Sequence, residues 1–117
     1  MSVDYNDMQI LKKGYIESNS KLQKSIEELE ELAQEKSQAE RDYRVSVMKS
    51  ILSLKSEGMA ATLIPALAKG SCSDALFNRD HTKALYDVGR EKIKAITLNI
   101  ESYRTLISVA KAEINIR

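Results

Sequence analysis

The fold is decided by a stretch near the end of the chain, residues 93–114, which reads IKAITLNIESYRTLISVAKAEI. Its apolar side chains recur at alternating steps of three and four residues, the heptad spacing by which helices pack against one another. The apolar face is widened by Leu85, Val88, Ala95 and Leu106, so we expect more than one partner helix. The heptad positions that we predict to form an oligomer seam are Ile93, Ile96, Ile100, Tyr103 and Ile107, and the pattern continues through Ala110 and Ile114.

Around this stretch the sequence predicts two long helices. The first covers about residues 20–57, which lack glycine and proline and are rich in helix-forming residues. Gly58 follows directly and is expected to end this helix in the left-handed conformation. The second covers about residues 72–116, and Ser71 or Ser73 is expected to cap its first turn.

Residues 58–70 are predicted to form a helical corner between the two long helices. Thr62 is expected to cap a short helix there, with Pro65 in its first turn and Gly70 at its end. Residues 1–19 are interpreted as a loosely held arm with room for a short helix, because Met8, Leu11 and Tyr15 have helical spacing.

The predicted architecture is an all-α, elongated, antiparallel helical hairpin, with residues 20–117 as its domain. A hairpin of two helices hides only one apolar stripe, whereas the second helix carries a wider one. We therefore expect a homo-oligomer in which hairpins assemble into a helical bundle or coiled coil.

The composition narrows the class of protein. The chain has 117 residues, 18 Lys+Arg and 17 Asp+Glu, and its aromatic residues are five tyrosines and one phenylalanine, which argues against an all-β domain. One cysteine, Cys72, cannot form an intramolecular disulfide, which suits a reducing cytoplasm. No apolar run approaches the about 20 residues that a membrane span needs, so we expect a cytoplasmic protein with no membrane partner.

The sequence offers little for catalysis, and we expect no enzyme. His81 lies nine positions from Cys72, about 13 Å along a helix, too far for a Cys–His pair. The acidic block over residues 27–35 has no histidine beside it, so we expect a solvated helix face and no metal site. The glycines are isolated and build no phosphate-binding loop, so we expect no cofactor.

Binding of another macromolecule is better supported. Met59, Leu63, Ile64 and Lys69 lie at the corner, where they either form a protein-binding surface or cap the core of the bundle. Nucleic-acid binding is the alternative, because residues 58–117 hold 9 basic and 6 acidic side chains. The basic stripe of the second helix consists of Arg79, Lys83, Arg90 and Lys94, and nearby acidic residues leave an ordinary solvated face as the competing interpretation.

The corner also carries a resemblance. Residues 41–44 (RDYR), the motif E-G-M-x-A-T-L-I-x-x-L-A-K-G over residues 57–70, Arg79-Asp80 and residues 83–86 (KALY) resemble small helical proteins of phages and prophages of Gram-positive bacteria. The resemblance covers about residues 40–104, and no catalytic residue belongs to the motif. It implies a phage setting in the host cytoplasm, among early genes for recombination or single-strand handling. The chain departs from the pattern at residues 71–73, where a more charged linker is expected.

The leading hypothesis is thus a non-enzymatic phage accessory protein that binds a host or phage protein. That partner would be a recombination or replication factor, or a host defence enzyme that the protein inhibits. Direct nucleic-acid binding through the basic stripe is the alternative, and a structural coiled-coil spacer is the third interpretation.

Overall fold

The computed structural model describes residues 4–116, which form three α-helices and, within that range, no strand. The helices are α1 (Tyr5–Ser56), α2 (Ile64–Ser71) and α3 (Ser73–Ile116). The two long helices pack against each other, which confirms the predicted all-α helical hairpin. Contacts divide the chain into two units, unit 1 (Met1–Leu29 and Gly89–Arg117) and unit 2 (Glu30–Val88).

In unit 1 the two long helices run antiparallel. Lys92 forms an ion pair of 3.5 Å with Glu28, and further along α3 the guanidinium Nε of Arg104 donates to the Tyr15 hydroxyl at 3.4 Å. Moving forward along α3 from Lys92 to Arg104 therefore means moving backward along α1 from Glu28 to Tyr15. The buried side chains of this unit alternate at heptad spacing and include Met8, Ser18, Ser25, Ile100 and Ala110.

The predicted oligomer seam is occupied within the chain. Ile100 is 4% exposed, and its heptad neighbours Ile93, Ile96, Tyr103 and Ile107 are half-buried on the same face. Tyr103 touches Gly14 of α1, so this face of α3 packs against α1 of the same chain. The heptad that we expected between chains therefore forms the contact inside the hairpin.

The N-terminal boundary of the first long helix differs from the prediction. α1 begins at Tyr5 rather than near residue 20, so residues 5–19 belong to the hairpin; residues 1–3 of the predicted arm lie outside the described residues. The Asp7 N–H donates to the Asp4 carboxylate at 2.9 Å and the Asp4 N–H donates to Asp7, which gives the helix a reciprocal cap. Gly14 lies within α1, and the ring of Tyr103 packs against it.

In unit 2, α1 ends as predicted. Gly58 has φ +79° and stands at the position after the helix where a left-handed residue is required. Its N–H donates to the Lys55 carbonyl at 3.1 Å, and the Met59 N–H donates to the Leu54 carbonyl at 3.1 Å. These two bonds form a Schellman motif, which satisfies carbonyl groups at the helix end.

The corner helix α2 is present, but its caps differ from the prediction. Leu63 is the residue before α2 and makes no side-chain cap, whereas Thr62 lies in the preceding turn. Pro65 falls in the first turn as predicted, because its missing N–H needs no partner there. Gly70 lies within α2, which ends at Ser71.

Ser71 does not cap α3 either. Its hydroxyl donates to the Ala68 carbonyl at 2.8 Å, and its oxygen lies within hydrogen-bond distance, 3.0 Å, of the Ser50 hydroxyl oxygen. The carbonyl of Cys72 accepts the Leu76 N–H at 2.9 Å and so begins the hydrogen bonding of α3. These bonds join the corner to α1. The buried side chains of unit 2 are Ala39, Ile64, Ala68, Cys72 and Thr82.

Candidate protein-binding surface

The predicted tip residues divide between the core and the surface. Ile64 is 6% exposed and lies in the core of unit 2, so the structure contradicts its assignment to a binding surface. Leu63, next to it, is 53% exposed. Met59 is half-buried and Lys69 is exposed. Ile64 thus belongs to the core, whereas Leu63 and Lys69 are exposed and their part in protein binding stays a prediction.

The geometry of α2 produces this division. Ile64 and Ala68 are four residues apart and share the buried face of the helix. Leu63 and Leu67 are also four residues apart and share an outward face, on which Leu67 is 44% exposed. We define the corner surface as Met59, Leu63, Leu67 and Lys69. Leu67 is not among the contact residues predicted from the sequence, although its spacing from Leu63 was a usable signal.

The corner is also low in charge. Residues 58–68 contain no charged side chain, in a chain of which 30% is charged. Exposed leucines on such a segment form an apolar surface rather than isolated apolar residues among charges, and an exposed apolar surface is typical of protein-binding sites. Lys69 supplies a positive charge at its edge.

A second apolar patch in unit 2 lies on the outer face of α1. Val45, Met48 and Leu52 are 43%, 60% and 57% exposed, and their spacing places them on one helix face. That face is opposite to the one that carries Tyr43 and Ser50, which contact α3 and the corner. Sequence reasoning missed this patch.

The outer face of α3 in unit 2 is apolar as well. Phe77 is 70% exposed and stacks on the imidazole ring of His81, with 5.8 Å between ring centroids and 7° between ring planes. Val88, on the same face, is 65% exposed. Aromatic side chains at this exposure are common anchors of protein interfaces.

A polar groove lies between α1 and α3 in unit 2, with a volume of about 660 Å³. Arg79 stands over the ring of Tyr43 at 4.5 Å, and its guanidinium also reaches Asp80 at 3.1 Å and Glu40 at 3.8 Å. Lys36 stands over the ring of Tyr86, also at 4.5 Å. Both cations, Arg79 and Lys36, are thus engaged in contacts between α1 and α3. The groove is lined by Ala33, Lys36, Ser37, Glu40, Arg44, Arg79, Asp80, Lys83 and Tyr86.

The four residues of the predicted basic stripe are divided between the two units, two in each. Arg79 and Lys83 line the groove of unit 2, whereas Arg90 and Lys94 belong to unit 1. The Lys94 ammonium forms an ion pair of 3.2 Å with Glu91. Two of the four cations thus have carboxylate partners, which reduces the positive potential that a phosphate backbone would meet.

Cys72 and His81 lie in different environments. Cys72 is buried, and its sulfur lies 3.4 Å from the Ser50 hydroxyl oxygen. His81 is exposed and stacked on Phe77. Among residues 4–116 no group of three or more histidine, cysteine or acidic side chains is placed to hold a metal ion. The described helices also contain no segment that is both long and apolar enough to cross a membrane.

One ionisable pair in unit 1 shows a perturbed titration. The hydrogen bond from Arg104 lowers the pKa of the Tyr15 phenol, and the positive charge of Arg104 adds to this effect. The same contact raises the pKa of Arg104. Both groups are at the surface, so the pair marks a local contact between α1 and α3 rather than a buried reactive centre.

Comparisons of the chain with protein-family models, with curated proteins and with solved structures gave no match.

Proposed function

We propose that the protein has no catalytic activity of its own and acts by binding another protein through the corner surface. The observation that carries this proposal is the division of α2, whose buried face fills the core while Leu63 and Leu67 stay exposed. Exposed leucines on an uncharged segment gain free energy when a partner covers them, about 25 cal/mol for each Å² of apolar surface removed from water.

The setting that we propose comes from the resemblance of residues 57–70 to small phage proteins. In that setting the partner is a host or phage protein, such as a recombination or replication factor or a defence enzyme. The corner surface supports this proposal because the resembling motif and the exposed leucines occupy the same segment. No membrane partner is proposed.

The experiment is a capture of partners from the lysate of the producing cell, with and without nuclease. We compare the native chain with Leu63→Asp/Leu67→Asp, and we use Ile16→Asp as the matched control. Ile16 is 67% exposed on α1 and belongs to unit 1, whereas the corner belongs to unit 2. Helicity and thermal unfolding of each variant establish that the fold is intact.

We expect a partner that survives nuclease treatment, is lost from the corner variant and is retained by Ile16→Asp. Retention of that partner by a folded corner variant would refute the corner surface as its binding site. Loss of folding in Leu63→Asp alone would show that this residue belongs to the core.

Nucleic-acid binding is the alternative proposal, and it depends on Lys83 and Arg90. Among residues 4–116 no carboxylate lies within ion-pair distance of either side chain, whereas Arg79 and Lys94 have such partners. If this alternative is right, affinity for a DNA duplex falls steeply between 50 and 200 mM salt, the range over which phosphate contacts weaken. Lys83→Glu with Arg90→Glu would then abolish binding, and the corner variant would not.

A further inference from the structure

α3 carries a second heptad on the face opposite to α1, and in unit 1 this face is exposed. Relative to the inward positions Ile100 and Tyr103, it is displaced by about half a helical turn. Leu98 and Val109 are 64% and 58% exposed, and the remaining members are exposed as well. We name this face the outer heptad; its members are Ala95, Leu98, Ser102, Thr105, Val109 and Ala112.

The outer heptad is suited to burial in a contact, although two of its residues carry hydroxyl groups. None of its six residues is charged, although 30% of the chain is. The Ser102 hydroxyl donates to the Leu98 carbonyl at 3.1 Å, and the Thr105 hydroxyl donates to the Glu101 carbonyl at 3.1 Å. Because these hydroxyls are already bonded within the helix, covering them leaves no unsatisfied donor.

We propose that the outer heptad binds the outer heptad of a second copy of this chain, as an antiparallel helix pair around a two-fold axis. Steps of three and four residues fit a partner helix, whose side chains enter the spaces between them. This inference does not rest on the corner surface, which belongs to unit 2. It assigns the oligomer contact to the face of α3 that the hairpin leaves open.

The sequence of the outer heptad is self-complementary in this arrangement. When the two-fold axis crosses the contact at the level midway between residues 103 and 104 along the helix, Leu98 faces Val109 of the other copy. Ala95 faces Ala112, and Ser102 faces Thr105, in the same way. Each layer then pairs side chains of similar size: two Ser–Thr layers at the centre, a Leu–Val layer on either side of them and an Ala–Ala layer at each end. An isologous dimer requires such a patch, because both copies use the same surface.

The size of the outer heptad sets the expected strength of this contact. The outer heptad and its flanks hold fewer residues than the about 20–30 per side of such an interface, so we expect a weak dimer, with Kd on the order of micromolar.

The first test is sedimentation velocity of the native chain from 5 to 500 µM, alongside Leu98→Glu/Val109→Glu. We expect a dimer that forms with rising concentration, and a Kd at least tenfold higher for the variant. Ile16→Glu is the matched control, because Ile16 is equally exposed on α1 of the same unit, and its Kd should be unchanged. A chain that stays monomeric up to 500 µM would overturn the proposal.

A second variant tests the antiparallel arrangement by adding one cation and one anion to each chain, so that the net charge of the chain is unchanged. In Leu98→Lys/Val109→Glu each layer at these positions pairs a cation with an anion, whereas a parallel pair would oppose like charges. We expect this variant to dimerise more tightly than Leu98→Glu/Val109→Glu, and more weakly as salt rises. Equal Kd values for the two variants would refute the antiparallel pairing. A dimer lost only in Leu63→Asp/Leu67→Asp would place the contact at the corner and overturn the outer heptad as its site.

Discussion

At the scale of single residues, Gly14 is required by contact rather than by backbone conformation. A Cβ atom at this position would lie 2.6 Å from ring atoms of Tyr103, closer than real contacts allow. Alanine normally stabilises a helix relative to glycine by about 1 kcal/mol, but an overpacked contact costs about 1–3 kcal/mol. The second effect therefore equals or exceeds the first.

We predict that Gly14→Ala lowers the free energy of unfolding by about 1 kcal/mol, as measured by urea denaturation. Gly70→Ala is the matched control: nothing lies within 4 Å of its added Cβ, so it should stabilise by about 0.4–1 kcal/mol. In a Tyr103→Ala background Gly14→Ala should become stabilising. A loss of stability there would mean that the ring of Tyr103 is not the cause.

The contact between Tyr15 and Arg104 gives a prediction that depends on pH. Arg104→Gln should raise the pKa of Tyr15 toward its usual value of 10.0, because the hydrogen bond and charge that favour the phenolate are removed. Selective tyrosine labelling and NMR titration measure this shift. Lys111→Gln, in the same surface pocket, is the control and should change the pKa less.

The sign of the effect on stability follows from the direction of the shift. A phenol whose pKa is lowered by folding stabilises the folded chain above pH 10.0, and this contribution disappears as pH falls through the lowered pKa. Arg104→Gln should therefore reduce stability more in alkaline buffer than at pH 7. An equal loss at both pH values would show that the ionisation of Tyr15 is not involved.

At the scale of elements, the end of α1 depends on one left-handed residue. Gly58→Ala introduces no clash, since nothing lies within 4 Å of the added Cβ, so its cost comes from the backbone alone. We predict a loss of about 1–2 kcal/mol in the free energy of unfolding. Gly58→Asn should lose less, because asparagine tolerates this conformation better. Equal losses would contradict a backbone origin.

The elements also show how far the sequence carries a prediction. The inward face of α3 was predictable because isoleucines occupy nearly every heptad position. α1 was harder, because small or polar residues occupy inward positions: Ser25 is 5% exposed, while Ile26 beside it is 37% exposed. Ala39 likewise lies in the core, although its neighbours Gln38 and Glu40 are polar.

The start of α1 and the corner surface are two further places where the sequence prediction fell short of the structure. Asp4 and Asp7 have the spacing of a cap, but the sequence prediction did not use this signal and began the long helix near residue 20. At the corner, Leu63 and Ile64 are equally apolar, and only the orientation of α2 decides which of them is buried. That orientation depends on contacts with α1 and α3, which local spacing does not contain.

At the scale of the whole molecule, the two proposed surfaces belong to different units. We therefore predict that their variants act independently. Leu63→Asp/Leu67→Asp should lose the protein partner and keep the dimer Kd, whereas Leu98→Glu/Val109→Glu should lose the dimer and keep affinity for the partner. Partner capture and sedimentation velocity on both variants measure this. A loss of both activities in either variant would show that the two surfaces are coupled.

The antiparallel arrangement also bears on the order in which the chain folds. The contact of Ser50 with Cys72 joins residues 22 apart in sequence, whereas that of Tyr15 with Arg104 joins residues 89 apart. Closing the longer loop first costs about 1.2 kcal/mol more in chain entropy. Folding should therefore begin at the corner, where the Schellman turn reverses the chain, and proceed toward the termini as each new pair shortens the loop that remains. Because a ribosome makes α1 before the corner and α3, α3 folds onto a segment of the chain that has already been synthesised.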